Sequence, residues 1–190
     1  MCKMENEPSA ESCKFAEDNK SSPRGLDFSA DRVVKYMITS GLTLSTAESC
    51  TGGLIAEAVT RVAGASATFR GGVVSYSEEV KQKVLGVSSD TLERFTVYSE
   101  QVASEMSLGV MRLMQTDAAI GVTGIAGPGG GTEDKPVGTV YVSVRYGSRE
   151  TVKDLRLYEE YEKPDRELIR QTTAQRALEM LMTLLESEVI

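Results

Sequence analysis

Residues 46–53 of this chain read Thr46-Ala47-Glu48-Ser49-Cys50-Thr51-Gly52-Gly53. A short alternating segment, residues 42–45, precedes this stretch. It is followed by apolar residues at helical spacing, namely Leu54, Ile55, Ala58, Val59 and Val62. A strand therefore passes into a helix here, and a helix N-terminus offers unpaired N–H groups and the positive end of a dipole. Hydroxyl and thiol side chains beside two glycines at this point predict a site for a nucleophile, an anion or both.

The composition indicates one globular domain that does not bind polyanions. The chain has 190 residues, of which 41% are hydrophobic, and this is enough for a single domain with a core. Its formal net charge of −7 argues against binding to nucleic acid or to an acidic membrane surface. No run approaches the roughly 20 apolar residues of a membrane span, and the N-terminus lacks the apolar region of a secretory signal. A local pocket for an anionic small molecule remains compatible with this charge.

The chain contains no histidine, and this absence limits the chemistry available to it. A Ser-His-Asp triad, a Cys-His pair and a histidine-ligated zinc site are excluded within the chain. Any general base must be a lysine, tyrosine, aspartate, glutamate or cysteine. The three cysteines, Cys2, Cys13 and Cys50, show no Cys-x-x-Cys spacing. We therefore expect neither a disulfide framework nor a metal site. The same cysteine usage predicts a reducing, cytoplasmic location.

The pattern along the chain predicts a tail followed by one domain. Residues 1–27 are rich in Glu, Lys, Ser and Asn and are predicted to be a disordered polar tail. The domain then covers residues 28–190, beginning with a helix capped by Ser29 and ended by Gly41. A second strand is predicted at 72–76. Further helices are predicted to begin at Ser77, at Ser88 or Ser89, at Ser99 and at Pro164.

The second half of the chain predicts the type of sheet. Residues 118–123 are small or apolar throughout, as in a buried central strand. Residues 137–146 alternate, and a turn at 147–148 leads to a partner strand at 151–157. Together with the helices, these strands predict an α/β fold with three α/β/α layers, whose mixed sheet includes a C-terminal antiparallel hairpin.

Ser49 has two interpretations. A serine at this position commonly caps the following helix and stabilises it by about 1 kcal/mol. A single cap does not require Cys50, Thr51, Gly52 and Gly53 beside it, however. Glycines allow a substrate to approach the backbone, and free N–H groups can stabilise an oxyanion. Cys50 is a rival nucleophile, because a helix N-terminus favours a thiolate, but the chain has no histidine to pair with it.

A serine nucleophile needs a base, and Lys81 is the candidate. It lies one turn into the helix after Tyr76, beside apolar positions, and burial would lower its pKa. Tyr76 is a candidate to relay a proton or to orient the lysine. The alternatives are that Lys81 belongs to a solvated helix face and that Tyr76 is an ordinary strand aromatic.

The glycine-rich loop from Gly124 to Pro136 is the second unusual segment. Its closely spaced glycines can present backbone N–H groups to a phosphate, with Gly124, Gly127 and Gly130 as candidates. The loop matches neither a Walker loop nor a dinucleotide-binding fingerprint, because no Gly-Lys-Ser/Thr ends it and a hairpin strand follows it. A flexible connection is the alternative interpretation. Thr123 at the strand end favours a binding loop, as does the lysine at position 135.

Three motifs together resemble the CinA C-terminal domain family. They are Ala47-Glu48-Ser49-Cys50-Thr51-Gly52-Gly53, then Tyr76-Ser77-Glu78-Glu79-Val80-Lys81, then Gly124-Ile125-Ala126-Gly127-Pro128 with Lys135-Pro136-Val137-Gly138-Thr139-Val140. They occur in the family's order, and the resemblance runs from about Phe28 to the C-terminus. Longer members carry a molybdopterin-binding-like domain before this one, where this chain has a short polar tail.

The resemblance implies an enzyme and assigns roles to residues. Members of the family hydrolyse nicotinamide mononucleotide to nicotinate mononucleotide and ammonia. By this resemblance Ser49 is the nucleophile, Lys81 and Tyr76 are its partners, Thr123 is the hydroxyl residue before the glycine loop, and Arg170 recognises the phosphate. No metal or cofactor is implied, the partner is a small mononucleotide, and we expect a homo-oligomer.

Two other functions remain open from the sequence. The domain is alternatively a nucleotide-binding or regulatory module without turnover, in which Ser49 is only a helix cap. A third hypothesis is a serine–lysine amidase that acts on another small amide. Convergence of Ser49, Tyr76 and Lys81 within hydrogen-bond distance would favour an enzyme over a binding module.

Overall fold

A computed structural model describes residues 23–187 of the chain. Its elements, in chain order, are α1 (Pro23–Ser40), β1 (Leu44–Glu48), α2 (Leu54–Thr60), a short 3₁₀ turn (Ala65–Ala67), β2 (Phe69–Val74), α3 (Glu78–Leu85), α4 (Ser89–Phe95), α5 (Glu100–Met114), β3 (Ala118–Gly124), β4 (Val140–Tyr146), β5 (Arg149–Asp154), α6 (Leu157–Glu160) and α7 (Arg166–Glu186). None of the helices in this part of the chain is long and apolar enough to cross a membrane.

The five strands form one mixed sheet in the order β2-β1-β3-β4-β5. β1 pairs in parallel with β2 and β3, whereas β3-β4 and β4-β5 are antiparallel. Helices α1, α2 and α7 pack on one face around the larger apolar cluster, and α3, α4 and α5 cover the other face. The predicted three-layer α/β/α fold with its C-terminal hairpin is confirmed.

The register of the three parallel strands places their carboxyl ends within two residues of one another. Glu48, the last residue of β1, pairs with Val74 of β2 and with Val122 of β3. The residues that follow each strand therefore meet at one edge of the sheet, outside the carboxyl ends of the strands. This edge is where open α/β sheets bind their ligands.

Several boundaries differ from those predicted from the sequence. Strand β2 covers Phe69–Val74 instead of residues 72–76, and β5 covers Arg149–Asp154 instead of residues 151–157. Helix α1 begins at Pro23, and Ser29 lies buried inside it, where its hydroxyl donates to the carbonyl of Gly25 rather than capping the helix. Residues 23–27 of the predicted tail are therefore helical, and residues 1–22 lie outside the described part. Strand β1 covers Leu44–Glu48 instead of residues 42–45, because parallel neighbours pair with it on both sides up to Glu48.

Short polar contacts and one glycine fix the helices on the second face. Ser77 and Ser99 cap α3 and α5, as predicted, by accepting from the amides of Val80 and Val102 at 3.3 Å. Gly121 lets α5 pack closely on β3, because a Cβ there would lie only 2.5 Å from the carbonyl oxygen of Ala103. The caps fix where α3 and α5 begin, Gly121 brings α5 onto β3, and α3, which carries Lys81, packs against α5.

Candidate active site

A cavity of about 350 Å³ lies at the carboxyl edge of the parallel strands. Its wall combines segments from five parts of the chain: the end of β1, the β2–α3 connection, the α4–α5 connection, the loop after β3 and the start of α7. The polar and charged side chains in this wall are those of Ser49, Tyr76, Ser77, Glu78, Lys81, Tyr98 and Arg166. The cavity is within the size range of small-molecule sites.

Ser49 and Lys81 meet in the wall of this cavity. Nζ of Lys81 lies 3.0 Å from Oγ of Ser49 and donates a second hydrogen bond to the carbonyl of Ser75 at 2.6 Å. The lysine side chain is fully buried, and burial lowers the pKa of its ammonium group below the usual value for lysine. A lysine with a lowered pKa is more readily neutral, and neutral Nζ can accept the proton of a serine hydroxyl.

The local structure explains how two residues 32 positions apart come together. Ser49 is the first residue after β1, and Ser75 is the first after the neighbouring strand β2. Ser77 then caps α3, which places Lys81 one turn into the helix. Side chains on helices point back toward the helix N-terminus. The lysine is therefore directed toward the carboxyl ends of β1 and β2, where the serine lies.

The carboxylate of Glu48 binds the free amides at the N-terminus of α2. This buried carboxylate accepts from the amides of Gly53, Ile55 and Ala56 at 2.8 to 3.1 Å. The amide of Gly52 donates to the carbonyl of Ser49. The predicted oxyanion role of Gly52 and Gly53 is thereby corrected, because both amides are already paired. The two glycines are instead required by their left-handed backbone, with φ of 63° and 96°.

The amides of Cys50 and Thr51 remain as candidate oxyanion donors. Within residues 23–187, neither amide donates to a backbone or side-chain oxygen. Cys50 lies beside Ser49 in the cavity wall. Burial raises the pKa of its thiol to about 12, so the thiol stays protonated at neutral pH. The thiolate on which the rival nucleophile depended is therefore not favoured here.

Tyr76 lies at the mouth of the cavity and not beside the serine–lysine pair. Its side chain is 65% exposed, and its hydroxyl accepts from Nη2 of Arg166 at 3.2 Å. Among the described residues, its hydroxyl makes no hydrogen bond with Ser49 or Lys81. The predicted convergence therefore holds for Ser49 and Lys81, whereas Tyr76 joins them only as part of the same cavity.

The cavity contains Arg166 and not the predicted Arg170. Arg166, the first residue of α7, donates through Nη1 to the carbonyl of Gly127 at 2.8 Å. Arg170 lies one turn further along α7 and directs Nε and Nη2 to the carbonyl of Thr51 at 3.2 and 3.0 Å. Arg166 was not among the residues predicted for the site. The signal for it was its position at the start of α7, the end of that helix that lies nearer the carboxyl edge of the sheet.

The loop after β3 contributes backbone to the cavity. Gly124 and Gly127 line it as predicted, together with Gly129, whereas Gly130 does not. Thr123 is fully buried, and its hydroxyl donates to the carbonyl of Val97, a cavity residue.

Lys135, at the far end of the same loop, donates to the hydroxyl of Thr96 and to the carbonyl of Tyr98 at 2.7 and 2.6 Å. Both Thr123 and Lys135 therefore support the wall that residues 97 and 98 form and do not face the cavity themselves.

Comparison with known proteins identifies relatives of the chain. The sequence model of the CinA C-terminal domain matches residues 27–185. A CinA-like protein of Kosmotoga olearia is 45% identical over 149 residues, which are 78% of this chain and 35% of that protein. A CinA-like protein of Thermotoga neapolitana is 43% identical over 150 residues, with the same two shares. The chain thus spans about a third of the length of these curated relatives.

Solved structures agree with the sequence relatives. The competence/damage inducible protein CihA from Agrobacterium tumefaciens superposes with a TM-score of 0.82 at 40% identity, covering 86% of this chain and 98% of that chain. A competence-damaged protein (CinA) superfamily protein from Escherichia coli gives a TM-score of 0.79 at 29% identity, with shares of 86% and 92%. The chain therefore belongs to the CinA C-terminal domain family.

Proposed function

We propose that this protein hydrolyses the carboxamide of nicotinamide mononucleotide to nicotinate mononucleotide and ammonia. The observation that carries the proposal is the 3.0 Å separation between Nζ of Lys81 and Oγ of Ser49 in the wall of a cavity. A serine that only capped a helix would not require a buried lysine at this distance. The pair therefore favours an enzyme over a binding module without turnover.

The first half of the reaction forms an acyl-enzyme. Neutral Lys81 accepts the proton of Ser49, and Oγ attacks the carboxamide carbon of the substrate. The amides of Cys50 and Thr51 donate to the oxyanion that develops on the carboxamide oxygen. The ammonium of Lys81 then returns its proton to the leaving nitrogen, and ammonia departs as the C–N bond breaks.

The second half of the reaction releases the product. Neutral Lys81 now takes a proton from water, whose oxygen attacks the acyl carbon. The ester bond to Oγ breaks and Ser49 regains a proton from Lys81. The carboxylic acid that forms loses its remaining proton to solvent, and nicotinate mononucleotide leaves as the carboxylate. Each proton that Lys81 accepts is returned within the same half-reaction, so the enzyme ends the cycle unchanged.

Charges around the cavity suit a zwitterionic mononucleotide. We assign the phosphate to the guanidinium of Arg166 at the mouth and to the backbone of the glycine loop, because both line the cavity and a guanidinium binds phosphate well. The hydroxyl of Tyr76, which is bonded to Arg166, belongs to the same part of the wall. Glu78, also in the wall, offers a carboxylate to the cationic pyridinium ring.

The test is ammonia release from nicotinamide mononucleotide. We expect Ser49→Ala and Lys81→Met each to lower kcat about 10³-fold or more, in line with loss of a nucleophile or a general base. Lys83→Met is the matched control, because Lys83 lies on the same helix and pairs with Glu79 at the surface. Full activity of Ser49→Ala, or no release by the wild-type chain, would contradict the proposal.

The substrates compared in the same assay define the substrate class. Nicotinamide riboside lacks the phosphate that Arg166 is proposed to bind, and nicotinamide lacks the ribose as well. We expect kcat/KM to fall in the order mononucleotide, riboside, nicotinamide. Turnover of unrelated small amides at rates equal to that of the mononucleotide would instead favour a serine–lysine amidase of other specificity.

A further inference from the structure

We propose that Glu48 and Arg170 are positioning residues that hold the nucleophile turn, residues 49–53, in the conformation needed for catalysis. The inference rests on the proposed function insofar as Ser49 is taken as the attacking group. Neither residue is in the cavity wall. Both act through backbone groups of the turn or of the helix that follows it.

Glu48 fixes the turn from its two ends at once. Its backbone belongs to β1, and its carboxylate is 1% exposed and bonded to three amides at the start of α2. A buried carboxylate is costly unless hydrogen bonds compensate for lost water, and here three amides and the positive end of the helix do so. The beginning and the end of the turn are therefore tied to a single residue, the first through its backbone and the second through its side chain.

Arg170 holds the middle of the turn. Nε and Nη2 both donate to the carbonyl of Thr51, and Nη1 is paired with Glu167 at 2.7 Å, which fixes the plane of the guanidinium. Thr51 itself is fully buried. The arginine thus ties α7 to the peptide unit that joins Thr51 to Gly52.

The two contacts leave two amides for the reaction. Glu48 pairs the amides of Gly53, Ile55 and Ala56, and the amides of Cys50 and Thr51 stay without an oxygen acceptor in the described part of the chain. Fixing the carbonyl of Thr51 restricts rotation about the backbone bond between its Cα and its carbonyl carbon. With the end of the turn held by Glu48 and the carbonyl of Thr51 held by Arg170, the backbone between them has little freedom to move the amides of Cys50 and Thr51 relative to Oγ of Ser49.

This arrangement separates two roles that an arginine near an active site can have. A phosphate ligand contributes to substrate binding, so its loss raises KM. A positioning residue acts on the geometry of attack, where a small displacement costs about 10²-fold in rate, so its loss lowers kcat. Arg170 is expected to follow the second pattern, because its donors are directed to Thr51 and Glu167.

The experiment compares Arg170→Gln and Arg170→Lys with a matched control, Arg176→Gln. Arg176 lies on the same helix and pairs with Glu160 away from the cavity. We expect Arg170→Gln to lower kcat for nicotinamide mononucleotide about 10²-fold with KM changed less than about twofold. Arg170→Lys, which keeps one donor, should recover part of kcat, and Arg176→Gln should match the wild type.

A second measurement does not depend on the natural substrate. A fluorophosphonate ester reacts with an activated serine, forming the P–O bond as fluoride leaves and the serine proton passes to Lys81. We expect the rate of Ser49 phosphonylation to fall in Arg170→Gln and in Glu48→Gln, and to be unchanged in Arg176→Gln. Ser49→Ala defines the background. Melting temperatures are recorded for every variant, and rates are compared at a temperature at which all are folded.

The possible outcomes distinguish this inference from the proposed function. Unchanged kcat and phosphonylation in Arg170→Gln, or a raised KM with unchanged kcat, would overturn the positioning role. Phosphonylation of Ser49 in a wild-type chain that releases no ammonia would overturn the proposed substrate alone, and the labelling rates would then test Arg170. A wild-type chain in which Ser49 is not labelled would overturn both.

Discussion

Glu78 places a negative charge near Lys81, the proposed general base. It lies three residues before Lys81 on α3, and its negative charge raises the pKa of the lysine, opposing the larger effect of burial, which lowers it. In Glu78→Gln the opposing charge is gone, so the pKa of Lys81 falls further. Because neutral Lys81 is the base in the proposed mechanism, we expect the acidic limb of the kcat profile to move to lower pH. A pH–rate profile measures this shift.

The neighbouring glutamate supplies the control for that measurement. Glu79 is exposed and pairs with Lys83 at 2.6 Å, and it does not line the cavity. Glu79→Gln removes the same charge from the same helix and should leave the profile in place. A shift of equal size in both variants would mean that the general field of the helix, and not Glu78, sets the pKa of Lys81.

Arg166 is expected to determine affinity for the phosphate. Charge-assisted hydrogen bonds contribute about 1.5–3 kcal/mol, so Arg166→Gln should raise KM for nicotinamide mononucleotide about 10- to 100-fold. KM for nicotinamide riboside, which has no phosphate, should change little. Steady-state kinetics on both substrates check this, and an equal increase in KM for both would contradict a phosphate contact.

At the scale of single residues, the sequence predicted the pair but not its surroundings. The absence of histidine left a lysine as the natural base, and Lys81 does lie beside Ser49. Arg166 and Arg170 could not be separated in this way, because they are one helical turn apart and share a face of α7. Which of them reaches the cavity depends on how the start of α7 meets the loop at Gly127.

At the scale of secondary structure, the close approach of α3 and α5 depends on Gly109. A Cβ built on Gly109 would overlap the backbone carbonyl of Leu85, the last residue of α3. Gly109→Ala should therefore push α3 away from α5 and destabilise the fold by about 1–3 kcal/mol. Because α3 carries Lys81, kcat should fall as well, at temperatures where the variant is still folded. Thermal unfolding and ammonia release measure the two effects.

A substitution elsewhere on α5 controls for changes in helix propensity. Gln101 lies on the exposed surface of the same helix. Gln101→Ala should change the melting temperature by no more than a few degrees and should leave kcat unchanged. A Gly109→Ala variant that is as stable and as active as the wild type would show that the backbone of α3 can move without cost.

Helix and strand boundaries were predictable where a local signal fixes them. Ser77 and Ser99 cap their helices through contacts three residues away, which a sequence pattern records. The end of β1 was not predictable in this way. Glu48 remains in the strand because β2 and β3 pair with it, and its carboxylate finds its partners in α2. Tertiary pairing and not local preference sets that boundary.

At the scale of the whole molecule, the site exists because β1 lies between two parallel neighbours. The residues after β1, β2 and β3 come from separate parts of the sequence and meet only at the shared edge of the sheet. The sequence indicated the fold class and most of these segments. It did not indicate the strand order, which brings the glycine loop to one side of Ser49 and Lys81 to the other.

The buried lysine is also expected to weaken the folded state at neutral pH. Burial lowers the pKa of Lys81, so between this lowered value and the usual lysine pKa the unfolded chain binds more protons than the folded one. The free energy of unfolding therefore rises with pH across this window, and the destabilising effect of Lys81 is greatest below it. Lys81→Met removes the titrating group and the cost of burying its charge.

We therefore expect Lys81→Met to be inactive yet to have a higher free energy of unfolding than the wild type near neutral pH. The difference between the two should narrow as the pH is raised from about 7 to about 9, toward the usual pKa of lysine. Urea unfolding at several pH values measures it, with Lys83→Met as the exposed control whose difference stays flat. A Lys81→Met variant that is less stable at every pH would mean that the bonds of Nζ to Ser49 and Ser75 outweigh the cost of burial.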